Sequence, residues 1–373
     1  MLAGVLLVGL FGHLFLHAES QFTVLALSVG GIALLWASAR FGWTARSGAS
    51  AAAHPQLLGA AAAAVVVAVG AVSFDSHFAL LMLTTVLLYS TVCLGLNIQF
   101  GYCGVVNFSG AAFFGIGSYS AAVLVSHTPL PHLLVIALGG IIAALIGSLL
   151  LLPVLRTRGH YAALVTIAFG ILFKTFLEVN DTLGGPQGLR IPGMQIFGWQ
   201  FNDNIAIGDY ELSFYLNYLL LALALCAATF VLVRRLERSW IGLSMDVVRL
   251  DETAASTFGV DIRLWKITAF TFGNLLTGMA GAVYGMMTGY VAPNNFTFGD
   301  SLILVSIVVL GGIGNPWGIL PAAAIVLILP EKLQFIQEYR FLLYAVLVIL
   351  ILLFRPEGLL PRRLRAYFPG GAR

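Results

Sequence analysis

The chain has 373 residues, of which 60% are hydrophobic and only 9% charged, and its mean hydropathy is +0.96. Soluble domains carry about 25% charged residues, so a soluble globular protein is excluded and a polytopic membrane protein is implied. The net charge of +3 would suit a nucleic-acid partner only if the basic residues clustered on one soluble face, and they do not.

In chain order, the apolar runs predict helices over 1–18, 21–39, 56–74, 78–98, 111–126, 132–155, 160–179, 212–233, 266–290, 301–314, 317–336 and 340–354. With roughly 20 apolar residues per span, the fold class is all-α: a transmembrane helical bundle of about twelve passes. No Asp, Glu, Lys or Arg occurs between Ser76 and Leu155. The runs 111–126 and 301–314 are short and glycine-flanked, which marks them as candidates for broken or re-entrant helices. The apolar start, Met1 to Ala18, has no basic n-region and no small-residue cleavage site, so it reads as a span rather than a signal peptide. Residues 1–55 are expected to be accessory helices, 56–361 one membrane domain containing the polar loop 234–266, and 362–373 a basic tail.

The positive-inside rule orients this chain. If 234–266 is cytoplasmic, alternating passes place both termini inside. Fifteen of the 19 Lys and Arg then lie inside, among them Arg40, Arg46, Arg156, Arg158, the group from Arg234 to Lys266 and the group from Arg355 to Arg373. Arg190, Lys332 and Arg340 fall outside, and Lys174 lies within a helix. The basic balance is therefore an orientation signal for a protein surrounded by lipid, with no nucleic-acid partner.

The chemistry is constrained by what the spans carry. None of the 16 acidic residues falls in mid-span; Asp75, Glu178, Asp300 and Glu331 sit at helix ends. Ion-coupled carriers usually place ionisable groups at membrane depth, although unwound carbonyls can also hold sodium. The lysines are Lys174, Lys266 and Lys332, and none follows a glycine loop with Ser or Thr after it, so the chain carries no phosphate-cradling motif of its own. Cys93, Cys103 and Cys226 have no metal or redox spacing, and the His13–His17 pair lacks a carboxylate partner. No catalytic or metal residues are expected, and no cofactor on this chain. Lys174 has two readings: a snorkelling cation paired with Glu178 one turn on, or a pathway cation facing an anionic substrate group.

Work done on such a protein must enter from a partner, and the inner segment is the natural port. Ser244 to Val260 reads as one short helix ending at Gly259, a favoured left-handed cap. Val247, Val248, Ala254, Ala255 and Phe258 offer apolar contacts, and Arg249, Asp251 and Glu252 a charged surface. It is either an interfacial helix or one gripped by a soluble subunit. Glycines punctuate two regions, Gly95 to Gly117 and Gly311 to Gly318. They either allow close helix packing or interrupt helices and free backbone groups for a polar solute.

Six segments carry a family resemblance: Leu94-Gly-Leu-Asn97, Ala112-Phe-Phe-Gly-Ile-Gly-Ser-Tyr119, Leu183-Gly-Gly-Pro-Gln-Gly-Leu189, Arg249-Leu-Asp-Glu-Thr-Ala-Ala255 with Phe258-Gly-Val260, Val308-Val-Leu-Gly-Gly-Ile-Gly-Asn-Pro-Trp-Gly318, and Phe354-Arg-Pro-Glu-Gly-Leu-Leu360. In this order the chain resembles, from about residue 78 to 361, the LivM-type permeases of bacterial branched-chain amino acid ABC importers. The resemblance implies a non-catalytic subunit in the bacterial inner membrane. Its implied partners are a second permease of LivH type, two cytoplasmic ATPase subunits that use ATP and Mg, and a periplasmic or lipid-anchored solute-binding protein. It makes Arg249, Asp251, Glu252, Ala254, Ala255, Phe258 and Gly259 the coupling helix, and has 180–211 help dock the binding protein. Together with the glycine clusters it nominates Asn97, Asn107, Ser109, Gly110, Lys174, Gly311, Gly312 and Gly314 for the transport path. The sequence departs from its relatives at Gly110, where many have His, at Ile171 (Glu), at Lys174 (Arg) and at Leu250 (an acid). The implied solutes are branched-chain or other small amino acids. Urea or short amides are the alternative, and an ion-coupled secondary carrier is the rival of a different class.

Overall fold

The computed structural model describes residues 2–18, 20–40, 55–155, 160–196, 198–207 and 210–333, and, further on, residues 339, 342, 344–346, 349–350, 353, 357–360 and 362. Apolar runs become helices because in a bilayer the backbone must satisfy its own hydrogen bonds. They are α1 Leu2–His17, α2 Gln21–Arg40, α3 Pro55–Val72, α4 His77–Asn97, α5 Gly110–His127, α6 His132–Val154, α7 His160–Val179, α8 Tyr215–Glu237, α9 Trp240–Leu250, α10 Glu252–Thr257, α11 Ile262–Thr288, α12 Phe298–Gly311 and α13 Pro316–Lys332. Eleven of the predicted runs have a helix beneath them, each end within a few residues. The run 340–354 lies mostly outside the described residues, as does the tail 362–373 apart from Arg362.

Ends fall where a side chain can satisfy the free amides of a first turn. Thr297 and Asp300 form a reciprocal capping box at the start of α12. Asn315 accepts from Trp317 N ahead of Pro316. Asp261 accepts from the amides of Arg263 and Leu264, so α11 begins at Ile262 rather than at 266. Five segments are long and apolar enough to cross a membrane: His77–Tyr102, His132–Val154, Tyr161–Val179, Tyr215–Glu237 and Pro293–Gly311. Gly4–His17, Gln21–Gly31 and Gln56–Val72 are shorter apolar helices.

The centre of the bundle is α11, packed on α4, α5 and α6. Glycines bring these axes together. A Cβ built on Gly117 would lie 2.0 Å from the carbonyl oxygen of Gly278, and one on Gly281 would lie 2.0 Å from that of Phe114. Close approach of this kind drives association between membrane helices, where apolar burial gains nothing over lipid. The accessory pair α1–α2 is tied to the rest by side chains at one end and by packing of α1 on α3: His17 Nε2 lies 2.9 Å from Ser73 Oγ, Lys332 donates to the Ala18 carbonyl at 3.1 Å, Gln21 donates to the Lys332 carbonyl at 3.1 Å, and Gly9 sits against Val65.

The fold is the helical bundle expected, with short antiparallel ladders added: Leu189–Arg190 pairs with Tyr290–Val291, Gln195–Ile196 with Trp199–Gln200, and Ile205–Ile207 with Tyr210–Leu212. They lie in the polar segments, where water leaves the backbone free of the helical requirement. The segment expected as one coupling helix is two, α9 and α10. Asp251 adopts extended φ −158°, ψ 110° and accepts from the amides of Thr253 and Ala254, so it ends one helix and caps the next.

Candidate functional site

The span that begins with α4 ends irregularly. Its last turn, Ile98–Tyr102, widens to a π turn, and Val105 N closes on Gln99 O at 2.9 Å. Residues 103–109 then turn back into the protein without helical structure. Backbone freed at this depth needs polar partners, and side chains supply them. Gln99 donates to Phe270 O at 3.1 Å and to Asn274 Oδ1 at 3.0 Å. Asn107 donates to Gln99 Oε1 at 2.8 Å and more weakly to Asn274 Oδ1 at 3.3 Å. Ser109 donates through both its amide and its hydroxyl to Asn107 Oδ1, at 2.9 and 2.6 Å. Thr166 on α7 accepts from Phe108 N at 3.1 Å. All three carboxamides are fully buried.

The nominated path residues therefore split. Asn107 and Ser109 meet in this cluster. Gly110, at the start of α5, sits between Leu96 and Leu304. Asn97 lies near the other end of the π turn, where its Oδ1 accepts from Gly314 N at 2.7 Å. Gly311 packs against the backbone of Gly318, and Gly312 against that of Leu360. Lys174 stands apart on α7 as an i,i+4 ion pair with Glu178 at 3.3 Å. The amide nitrogens of Asn97 and Asn274 are buried without a hydrogen-bond partner among the described residues, an expensive condition in an apolar medium. Gln99 and Asn274 were missed in the sequence. Their signal was present, since Asn274 is a lone carboxamide in a long apolar run and Gln99 sits two residues after the nominated Asn97 at the end of one.

The coupling residues also divide by role. Ala255 is fully buried, and so are Met245 and Val248 on α9, which anchors both short helices. Glu252 pairs with Lys266 at 2.6 Å. Gly259 takes φ +75°, a left-handed conformation that costs a residue with Cβ roughly 1–2 kcal/mol. Phe258 is 83% exposed, an apolar ring held out on a short, capped helix beside half-buried Ala254. Arg249 turns inward and donates to the Gly101 carbonyl at 2.5 Å. Burial, then the neighbouring Arg362, pulls its guanidinium below the ordinary arginine value, and Asp246 opposes them.

The two polar regions lie at opposite ends of one helix. His77, at the start of α4, has Nδ1 2.7 Å from Ser213 Oγ, two residues before α8. The π turn at the far end holds Gly101 beside α9. At 1.5 Å per residue these ends are about 39 Å apart. The segment 180–211 is itself a built surface. Gly188, at φ +72°, would drive a Cβ to within 2.0 Å of Val291 O, so the Leu183–Leu189 motif needs glycine there to close against Tyr290–Val291. Among the described residues no group of three or more His, Cys, Asp or Glu could hold a metal ion.

Apolar spans around a broken, amide-lined helix, with a short exposed lever at one end, define a polytopic membrane permease. The chain belongs to the family described as "Branched-chain amino acid transport system / permease component", which it matches over residues 78–354. It is 34% identical over 292 residues, covering 74% of this chain and 69% of the relative, to the high-affinity branched-chain amino acid transport system permease protein LivM of Escherichia coli K12. The LivM protein of Salmonella typhimurium is 33% identical over the same length. The LivH permease of Escherichia coli K12 is 23% identical over 293 residues, covering 74% of this chain and 91% of the relative. No solved structure matches.

Proposed function

We propose that this chain is the LivM-type membrane subunit of an ATP-driven importer that moves branched-chain or other small amino acids across the bacterial inner membrane by alternating access. The observation that carries the reading is the one-third identity to LivM permeases over a region that includes the broken helix and the α9–α10 lever. The domain spans 56–361, crosses the bilayer about twelve times when the accessory pair is included, and keeps both termini inside. The arginine-rich inner segments support that orientation. A second permease of LivH type completes the passage, two ATPase subunits bind ATP and Mg beneath it, and a binding protein delivers solute to the outer ladders. Exposed Phe258 enters the ATPase groove, while Asp251, Glu252, Ala254, Ala255 and Gly259 hold it in place. The solute passes residues near the helix break, Asn97, Asn107, Ser109, Gly110, Gly311, Gly312 and Gly314, with Lys174 towards the outer mouth. Uncharged polar groups at the helix break, with no fully buried carboxylate among the described residues, suit a solute whose charges cancel internally, such as an amino-acid zwitterion.

The test is reconstitution in liposomes. With the second permease, the ATPases and the binding protein, leucine should accumulate only when ATP is supplied on the ATPase side. The chain alone should concentrate nothing under a proton or sodium gradient. Gradient-driven accumulation by the chain alone would overturn the proposal in favour of a secondary carrier. Tight urea or acetamide binding by the cognate binding protein, with none for leucine, would move the solute to the amide class.

A further inference from the structure

The carbonyl of Gly101 is the meeting point of three distant chain segments. It closes the π turn of α4, and helix-terminal carbonyls lack intrahelical partners and carry partial negative charge. Arg249, in the last turn of α9, donates to it at 2.5 Å, and Arg362, beyond the last described helix, at 3.0 Å. Two guanidiniums on one oxygen repel each other. Asp246, one turn before Arg249 on the same face of α9, receives Arg362 in a fork at 2.6 and 2.8 Å. The Arg362 and Asp246 side chains are only 8% and 14% exposed, and the Arg362 guanidinium lies over the Tyr102 ring at 4.4 Å.

The surroundings are built to admit Arg362. A Cβ on Gly314 would meet Arg362 Cδ at 2.4 Å, and one on Gly101 would meet Gly314 Cα at 2.5 Å. The chain that delivers the arginine is zipped to the end of α12: Leu359 donates to Leu310 O at 2.7 Å, and Asn315 Nδ2 to Leu360 O at 3.0 Å. The end of α4, helix α9, the α12–α13 turn and the C-terminal arm therefore share one joint. It stands between the exposed lever and the amide cluster at the helix break.

We propose that Asp246, Arg362 and the Gly101 carbonyl form the joint through which displacement of α9–α10 reaches the broken end of α4. This rests on the reading that α9–α10 receives an ATPase. Asp246 and Arg362 are positioning residues: they touch no solute and set whether motion at the lever moves residues 98–109. A buried, forked pair suits the task because two parallel charge-assisted hydrogen bonds fix orientation as well as separation.

The test is a double-mutant cycle on the assembled complex, reading leucine delivered per ATP hydrolysed. D246A and R362A should each lower that ratio roughly tenfold, within the usual range of coupling between sites. The double variant should be no worse than either single one, since both break the same joint, and R362K should recover part of the loss. An unchanged ratio in the single variants, or losses that multiply in the double, would overturn the joint. In case a variant fails to assemble, amide exchange on the purified full chain gives a second reading. R362Q should speed exchange across 98–109 and leave the 189–190 with 290–291 ladder unaltered; equal protection of 98–109 in both proteins would overturn the proposal. A wild-type complex that concentrates leucine without ATP would instead refute the coupling role of α9–α10, and the exchange measurement would still decide whether the joint holds the helix break.

Discussion

Replacing Gly117 by Ala tests whether glycine sets the spacing of the central helices. The new methyl would sit 2.0 Å from the Gly278 oxygen and 2.7 Å from the Gly278 carbonyl carbon. Carbon contacts are optimal at about 3.5–4.0 Å, so α5 and α11 must separate by about 1 Å or more. Overpacking of this kind costs about 1–3 kcal/mol, and the upper part of that range applies because the obstacle is backbone and cannot rotate aside. Alanine recovers up to about 1 kcal/mol of helix propensity, which leaves a net loss near 2 kcal/mol. Gly12 on α1 provides the control, since a Cβ there meets nothing within 4 Å, and Gly12→Ala should be neutral or slightly stabilising. Thermal unfolding of the purified chain in detergent should place the Gly117→Ala midpoint several degrees below that of Gly12→Ala. Equal midpoints would show that the α5–α11 contact does not need glycine.

Other outcomes follow from the same geometry. Phe258→Ala should weaken ATPase binding about tenfold or more, as expected for an exposed aromatic anchor, with no change in melting temperature; an unaltered affinity would remove Phe258 from the contact. Gln99→Leu takes away the nearer acceptor of the buried Asn107 Nδ2 and a donor to Asn274 Oδ1, so it should destabilise the chain by about 1–3 kcal/mol, measurable in the same melt. Gly188→Ala should disrupt the 189–190 with 290–291 ladder and weaken binding-protein docking, read by co-purification, while the membrane helices still fold. Lys174→Met should change stability by less than about 1 kcal/mol, because a half-exposed i,i+4 pair contributes little. Uptake by that variant decides separately between the snorkelling role and a place on the path: a loss of tenfold or more assigns Lys174 to the path.

Several features could be read from residues alone because their causes are local. An apolar run in lipid has to be helical, so the ends of α4 to α8 were legible within a few residues. The stop at Gly259 was equally visible, since only a residue without Cβ takes φ +75° at little cost. The break at Asp251 was available too, as an acidic cap ahead of Glu-Thr-Ala, but the run of apolar positions on either side concealed it. The glycine clusters serve local structure in two ways, at different residues. Gly95 and Gly117 permit close helix contact, whereas the chain around Gly101 to Gly104 leaves the helix altogether.

The sequence by itself determined the membrane class, most of the helices and the family, because each follows from hydropathy, capping chemistry or short motifs. Tertiary structure alone decided which polar groups meet. Gln99, Asn107 and Asn274 are neighbours only because α11 packs against the break in α4, and Asp246 finds Arg362 only because the C-terminal arm folds back along α12. A side chain's need for a hydrogen bond is written in its chemistry; the identity of its partner depends on packing between segments far apart in the chain, and no local pattern records it.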